Sequence, residues 1–395
     1  MRVILVNKFW YPRGGAEQVV LMTKELLESA GHSVALFGMR HPENIFEEDY
    51  FASQIDYDRF SFRAGWKTLY NYEAKKKLRD LIRSFRPDVI HFHNIYHQLS
   101  FSLLDAAYAE RIPMIMTLHD YHWLSPNYRL FHHGNIDTRA GWQCFFHNCL
   151  EDYKKSLLGT LEWYGRSRKK YRNMIGQFIC PSEFVAHQHR RADWDTHQLI
   201  VVPNPLSHGV GRREYINGNF VLFAGRLSAE KGVDVLLSAA RFTPSISYVI
   251  MGDGPERQQL EIQAKTFGLM NVQFVGHLNG RERDYYFQHS RLVVVPSQWL
   301  ENAPLVIGEA ASFQKIVLGS RIGGIPEELP SDWLVTGTDP KVWATMIDHW
   351  YHRHNDEREK RGRIFAAVAA TRHNPRTYVR NLEKIYDHAK IKYAL

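Results

Sequence analysis

The chain has 395 residues, 44% of them hydrophobic and 23% charged, with a formal net charge of +8. This length favours two domains over one core, and the composition excludes collagen-like, low-complexity and membrane-spanning classes. The positive balance is mild and no basic tail stands out, so nucleic acid is not the expected partner.

The opening Met1-Arg2-Val3-Ile4-Leu5-Val6-Asn7 has an apolar run too short for a signal peptide and reads as a buried first strand. Further strands are expected at Ser33–Phe37, Asp88–Phe92, Met114–Leu118, Phe178–Cys180 and Leu199–Val202. Alternation of such runs with helical patterns is the mark of βαβ units and a parallel sheet. After the first strand, Arg13-Gly14-Gly15-Ala16-Glu17 puts paired glycines before an amphipathic helix beginning at Ala16. Backbone can approach a ligand closely there, although the dinucleotide G-x-G-x-x-G pattern is absent.

Two strand ends carry histidines, His91-Phe92-His93-Asn94 and Thr117-Leu118-His119-Asp120-Tyr121-His122. Open α/β sheets bind ligands beyond the carboxyl ends of their strands, so neighbouring polar ends suggest a site. Phe131–Cys149 contains His132, His133, Cys144, His147 and Cys149, which offer zinc-binding atoms. The five-residue spacing of Cys144 and Cys149 is unlike a C-x2-C knuckle, and an irregular surface loop is the preferred reading. With only three cysteines, a disulfide framework is not expected, which favours a reducing compartment and cytoplasmic localisation.

Lys154–Ile175 has Leu157, Leu161, Tyr164, Tyr171 and Ile175 at helical spacing. Arg166, Arg168, Lys169, Lys170 and Arg172 crowd its polar side. Lys75-Lys76-Lys77 through Arg86 is a second basic helix. Such helices are solvated faces or, alternatively, peripheral docking surfaces for an anionic membrane. A turn-rich hinge is expected at Pro203–Gly209.

The βα pattern restarts at Phe220, with strands at Ser247–Met251, Val272–Val275, Leu292–Val295 and Lys315–Leu318. Gly225-Arg226-Leu227-Ser228-Ala229-Glu230-Lys231-Gly232 places an arginine fork at a strand end and a lysine five residues on, which suits a phosphate. Met251-Gly252-Asp253-Gly254-Pro255 shapes room for a ligand, and Gly276-His277-Leu278 follows the next strand. Pro296–Ala311 reads as a loop turning into a helix, with Pro304 at the first helical position. The Leu305 and Val306 amides then point out of the helix start as an anion seat between Glu301 and Glu309. Gly323-Gly324-Ile325-Pro326-Glu327 is a turn. The last helix, Thr377–Tyr393, carries Tyr378, Leu382, Ile385, Tyr386 and Ala389 on one face. The acidic sequences Asp56-Tyr57-Asp58 and Asp193-Trp194-Asp195 do not lie at strand ends near the clamp, so no metal is assigned.

Two glutamates seven residues apart in Pro-Ser-x-x-x-Glu…Glu-Ala, with the ordered motifs before and after them, resemble the family 4 retaining glycosyltransferases. The resemblance implies the α/β GT-B fold: two Rossmann-like domains with parallel sheets facing a cleft, and a C-terminal helix crossing back to the first domain. The domains expected are 1–205, with 376–395 packing back on it, and 206–375. It further implies that Gly14 and Gly15 face the donor diphosphate and that His119 touches the transferred sugar. Arg226, Lys231, Leu305 and Val306 would hold the diphosphate, and Leu278 would lie near the base. Glu301 would orient the sugar, Asn302 and Ala303 would contact it, and Glu309 would bind the ribose.

Two departures stand out: Ser125 where relatives often have cysteine before the proline, and Glu301-Asn302-Ala303-Pro304 where they often have Glu-Ser/Gly-Phe-Gly. The implied activity is retaining, metal-independent transfer of a hexose-type sugar from a nucleoside diphosphate, UDP favoured over GDP, without a cofactor. The acceptor it implies is a glycan or lipid-linked glycan, with the protein cytoplasmic or peripheral on the inner face of the plasma membrane. A sugar-nucleotide epimerase, a phosphorylase and a silent glycan-binding module are the alternatives.

Overall fold

The structure is a computed structural model and describes residues 1–55, 62–166, 169–206 and 214–394. Asp56 and Asp58, Arg168 and the hinge residues 207–209 lie outside the described residues. The chain forms two compact units. One comprises residues 1–132, 137–205 and 375–395, and the other 133–136 and 206–374.

The first unit is built on a six-stranded parallel sheet: β1 (Arg2–Val6), β2 (Ser33–Phe37), β3 (Val89–Phe92), β4 (Met114–Thr117), β5 (Gln177–Cys180) and β6 (Leu199–Val201), in the order β2-β1-β3-β4-β5-β6. Val3, Ile4, Leu5 and Val6 are fully buried, as continuous apolar runs in a two-sided parallel sheet must be. Asp88, expected inside β3, instead stands at its edge and accepts the Arg2 amide at 2.7 Å.

The helix Gly15–Ser29 follows β1 and begins one residue earlier than the periodicity implies, because Gly14 in extended backbone acts as its cap. The final helix, Pro375–Ala394, belongs to this unit. Its buried stripe of Tyr378, Leu382, Ile385, Tyr386 and Ala389 joins the core formed by Val3, Leu5, Val20 and Leu27. Tyr378 also reaches Thr23 Oγ1 at 2.9 Å.

The second unit repeats the plan with β7 (Phe220–Ala224), β8 (Ser247–Met251), β9 (Val272–Gly276), β10 (Ser290–Val295), β11 (Ile316–Ser320) and β12 (Leu334–Val335). Their order is β9-β8-β7-β10-β11-β12, all parallel. β12 has no counterpart among the expected strands, since two residues leave no readable pattern. In both sheets the chain reverses its direction of travel beside the first strand, at β1/β3 and at β7/β10. Loops diverge at such switch points and leave a crevice at the strand ends.

Two local expectations are corrected. Pro304 is the cap of the helix Leu305–Ser312, not its first residue; its ψ of 116° is extended. The His- and Cys-rich segment is not an irregular loop: Trp142–Phe146 is a short helix, and Cys144 is disulfide-bonded to Cys149. Cys144 and Cys149 are thus neither zinc ligands nor reduced, and the cysteine count gives no support to a reducing compartment. Across Lys154–Ile175, Tyr153–Arg166 and Lys169–Met174 are helical, and residues 167–168 between them lie outside the described residues. Among the described residues no helix is long and apolar enough to cross a membrane.

Candidate active site

In the second unit four loops meet at the β7/β10 switch point. The loop after β7 is tied to the loop after β8 through Leu227 N–H to the Asp253 carbonyl (2.9 Å) and Glu256 N–H to the Leu227 carbonyl (3.0 Å). Gly232 sits in the left-handed region (φ 70°) directly under the Pro296 carbonyl, where any side chain would collide with it. Gln298 N–H then bonds the Glu230 carbonyl at 2.8 Å. Gly323 (φ 61°) lies against the Glu301 backbone with no room for a Cβ, and Gly324 N–H donates to the Glu301 carbonyl at 2.7 Å. These close approaches explain why glycine recurs in the motifs.

The product of this stacking is an ion pair between residues far apart in sequence: Lys231 Nζ lies 2.7 Å from Glu301 Oε1. The same oxygen accepts from Ser297 Oγ at 2.7 Å, and Lys231 sits 5.1 Å from the Trp299 ring centre. Glu301 is buried. Burial alone would raise its pKa, but the Lys231 charge and the hydrogen bonds from Lys231 and Ser297 hold it below the usual range, so it is ionised. Arg226 is exposed and has no ion-pair partner among the described residues.

Pro304 supplies the carbonyl for Ile307 N–H at 3.1 Å. The two preceding amides, Leu305 and Val306, are left without an acceptor from the helix itself. Asn302 is buried, and Ala303 half-buried.

Glu309 is ion-paired with Arg283, on the helix Gly280–His289. Leu278 and Val275 line a cavity of about 440 Å³ with Arg281, Glu282, Tyr285 and Tyr286 of that helix. Thus Glu301, Lys231 and the helix start come together around one loop cluster, while Leu278 and the Arg283–Glu309 pair share one helix as neighbour. Arg283, Ser297 and Trp299 were not among the expected site residues. Arg283 lies in the run Arg281-Glu282-Arg283-Asp284, whose alternating charges read as a solvated face.

In the first unit His93 Nδ1 and His119 Nε2 are 2.8 Å apart, and the His91 and His93 rings stack at 4.3 Å. His91 is held from both sides, by Thr117 Oγ1 and by Tyr386 OH of the terminal helix, each at 2.8 Å. Desolvation lowers the pKa of His119 to about 4 and that of His91 to about 3, and takes His93 well below its ordinary value. The cluster is therefore neutral near pH 7.

Beside it, Gly14 caps the helix whose buried Glu17 exerts its charge on Lys8, together with Asp120. Lys8 and Glu17 were also missed by the sequence reading. Asp195, part of one acidic pair considered for metal binding, caps the turn Thr196–Gln198 by accepting His197 N–H at 2.9 Å.

Another trio, His97, His122 and Glu162, places three ligand-type atoms within 4.8 Å of one another. Glu162 accepts from the His97 amide (3.1 Å), and its other oxygen lies 2.8 Å from His97 Nδ1. Those bonds account for the buried carboxylate without an ion.

Two family profiles match consecutive stretches of the chain: "Glycosyltransferase Family 4" over residues 13–209 and "Glycosyl transferases group 1" over residues 212–364. The chain belongs to the family 4 glycosyltransferases. This family 4 glycosyltransferase is 25% identical over 335 residues to the O-antigen chain mannosyltransferase C of Escherichia coli, covering 82% of this chain and 80% of the relative. It is 24% identical to an uncharacterized 42.6 kDa protein in the cps region of Klebsiella pneumoniae, covering 83% and 87% of the two chains. Among solved structures it resembles sucrose-phosphate synthase from Thermosynechococcus elongatus (TM-score 0.74, 17% identity, 98% of each chain). It also resembles Anabaena HepE in complex with UDP-glucose (TM-score 0.68, 17% identity, 97% and 98%). Its fold is GT-B.

Proposed function

We propose that this glycosyltransferase moves a hexose-type sugar from a nucleoside diphosphate, UDP ahead of GDP, to a hydroxyl of a glycan or lipid-linked glycan in cell-surface polysaccharide synthesis, with retention. The observation that carries the reading is the Lys231–Glu301 pair beside the open start of the helix Leu305–Ser312. A cation, two unpaired amides and an ionised carboxylate in one loop cluster suit a ligand that is phosphate at one end and polyol at the other. The UDP-glucose held by HepE and the O-antigen role in the name of the E. coli relative support the donor and the pathway class.

Cleaving the sugar–phosphate bond builds negative charge on the leaving diphosphate. Arg226, Lys231 and the Leu305 and Val306 amides are assigned to that charge, and groups of this kind contribute most where charge develops. Gly14 and Gly15 are assigned to the diphosphate from the first unit. Glu301 anchors Lys231 and orients the sugar through its hydroxyls, with Asn302 and Ala303 beside it. Glu309 takes the ribose hydroxyls once it exchanges Arg283 for them, and Leu278 borders the base. Neutral His119 accepts or donates a hydrogen bond to the transferred sugar.

In the retaining step the anomeric C–O bond to phosphate breaks and a new C–O bond to the acceptor oxygen forms on the same face. The acceptor proton passes to a phosphate oxygen. The scheme takes its positive charge from Arg226 and Lys231 and assigns no step to a metal or cofactor.

The test is a screen of UDP- and GDP-sugars with glycan acceptors, the anomeric configuration of the product read by NMR coupling constants. Transfer with an α-configured product from an α-configured donor is expected. Failure to bind either nucleoside diphosphate by calorimetry would remove the reading.

A further inference from the structure

The backbone that carries Glu301 is fastened from outside the donor cluster. Gly324 N–H donates to the Glu301 carbonyl, and the turn it belongs to runs straight into the short helix Ile325–Glu328. That helix ends in two glutamates, and the end of the helix Asn355–Arg372 meets both. Arg372 donates to the Glu327 carbonyl at 2.9 Å and to its carboxylate at 3.2 Å, and its Nε lies 3.3 Å from Glu328 Oε1. His373 Nε2 lies 2.8 Å from the other Glu328 oxygen.

Burial separates this cluster from an ordinary surface pair. The Glu328 and His373 side chains are 6% and 8% exposed. Two exposed ions wander through many geometries, whereas a carboxylate withdrawn from water and gripped on both oxygens keeps one. The helix that presents the grip is itself seated. Phe365, Ala366 and Ala369 are buried, and Gly362 passes so close to the Gln314 carbonyl that no Cβ fits.

His373 also marks where the chain leaves residues 206–374. Its carbonyl accepts the amide of Leu206, where the chain enters them, at 3.2 Å. Leu206 fills the place beside Gly308 that a Cβ would take, on the helix Leu305–Ser312. Entry and exit are thus tied to each other, and each rests on an element of the donor cluster. Leu206 lies on the helix whose first amides are open, and His373 grips the segment bonded to Glu301.

We propose that Glu328 is a positioning residue for sugar transfer. Clamped by Arg372 and His373, it fixes the Gly323–Gly324 turn and, through the Gly324 amide, the backbone from which Glu301 reaches Lys231. It meets no substrate and acts on orientation alone. The proposal rests on the assignment of Glu301 to the donor sugar. Misplacing an orienting group costs rate more than affinity, and the diphosphate has Arg226 and the Leu305 and Val306 amides assigned to it as well.

The test compares the full chain as wild type, Glu328→Gln and Glu328→Leu. Glutamine keeps the shape and still accepts from His373, whereas leucine fills the space without an acceptor. Three readouts are taken: exchange of the Gly324 amide by NMR, uridine diphosphate calorimetry, and kcat and KM for transfer. Glu328→Leu should speed Gly324 exchange about tenfold more than that of β10 and β11 amides, since the opening is local. Its kcat should fall about tenfold with nucleotide affinity within about threefold. Glu328→Gln should return exchange and kcat to within about threefold of wild type. Should the leucine variant fail to fold, His373→Phe, which removes one arm of the clamp, should show the same pattern at about threefold. Unchanged exchange at Gly324, or equal acceleration in β10 and β11, overturns the proposal. So does faster exchange with kcat untouched. A wild type that binds no nucleoside diphosphate removes the functional reading and the role in transfer with it, an outcome calorimetry shows without reference to Glu328.

Discussion

The two units share a strand plan but handle polarity at their switch points in opposite ways. At the β1/β3 end, His91, His93 and His119 are packed so that desolvation keeps them neutral. At the β7/β10 end, Glu301 stays charged because the paired Lys231 and the Ser297 hydroxyl hold its carboxyl below the usual range despite burial. A neutral cluster positions by hydrogen bonds and needs no counter-ion. A pre-formed ion pair keeps a cation in place that an incoming diphosphate can recruit without first paying for its burial. The difference teaches that buried polar groups at equivalent strand ends can be kept either neutral or charged, and on the proposed function the neutral end would serve hydroxyl groups and the charged end phosphate.

The sharpest way to break this comparison is Lys231→Ala. It leaves Glu301 as a buried carboxylate without its cation, a change that typically costs about 3–5 kcal/mol. On the proposed function it also removes one charge-stabilising group, worth about 10²- to 10³-fold in kcat. Denaturant melts and transfer rates measure the two losses separately. Adding Glu301→Gln should restore most of the stability and none of the rate. Full recovery of rate in the double variant would show that Lys231 serves only its carboxylate.

Lowering the pH should separate the units next. The folded pKa values of His91 and His119 are about 3 and about 4, below the 6.5 of the unfolded chain. Their stabilisation is present above pH 6.5 and is lost as pH falls through that window towards the folded values. For fully buried His91 the loss is roughly 2 kcal/mol by pH 5. Glu301 has a depressed pKa against an ordinary 4.5, so its contribution is present above pH 4.5 and disappears only below it. Hydrogen exchange between pH 7 and 5, corrected for its intrinsic pH dependence, should therefore accelerate in β3 and β4 before β10 and β11. Simultaneous acceleration would contradict the assignment.

A smaller effect is expected at Arg283. On the proposed assignment its pairing with Glu309 competes with a ribose, so Arg283→Ala should tighten uridine diphosphate binding about three- to tenfold, in line with a partly exposed ion pair of about 1 kcal/mol. Weaker binding would mean that Arg283 itself grips the nucleotide.

Strand positions and the ends that bear the motifs were legible because buried parallel strands leave continuous apolar runs flanked by glycine and polar turns. What could not be read were pairings made by topology. Nothing local couples Lys231 to Glu301, Arg283 to Glu309, or His91 to Tyr386 from the far end of the chain. Those contacts follow from which strands become neighbours. The Cys144–Cys149 bond was missed because a five-residue spacing has no single meaning. The run Leu157–Leu161–Tyr164 showed its helical period, yet a period does not say which side faces water. Pro304 fell one position from its expected place because a proline's fixed φ suits both a cap and a first helical turn.

The finest test of the neutral cluster is Tyr386→Phe. The phenol reaches His91 Nδ1 and touches neither His93 nor His119 by any bond described above. Leu382, Ile385 and Ala389 continue to anchor the terminal helix. Loss of one buried hydrogen bond should cost about 1 kcal/mol, seen as a shift in the denaturation midpoint, and ¹⁵N shifts of the imidazole should report the change at His91. Transfer rate should stay within about twofold, because His91 is one stacked ring removed from His119. A tenfold fall in rate with stability preserved would make the terminal helix a positioning element for His119. The first unit would then depend on a long chain of neutral bonds, as the second depends on one charged pair.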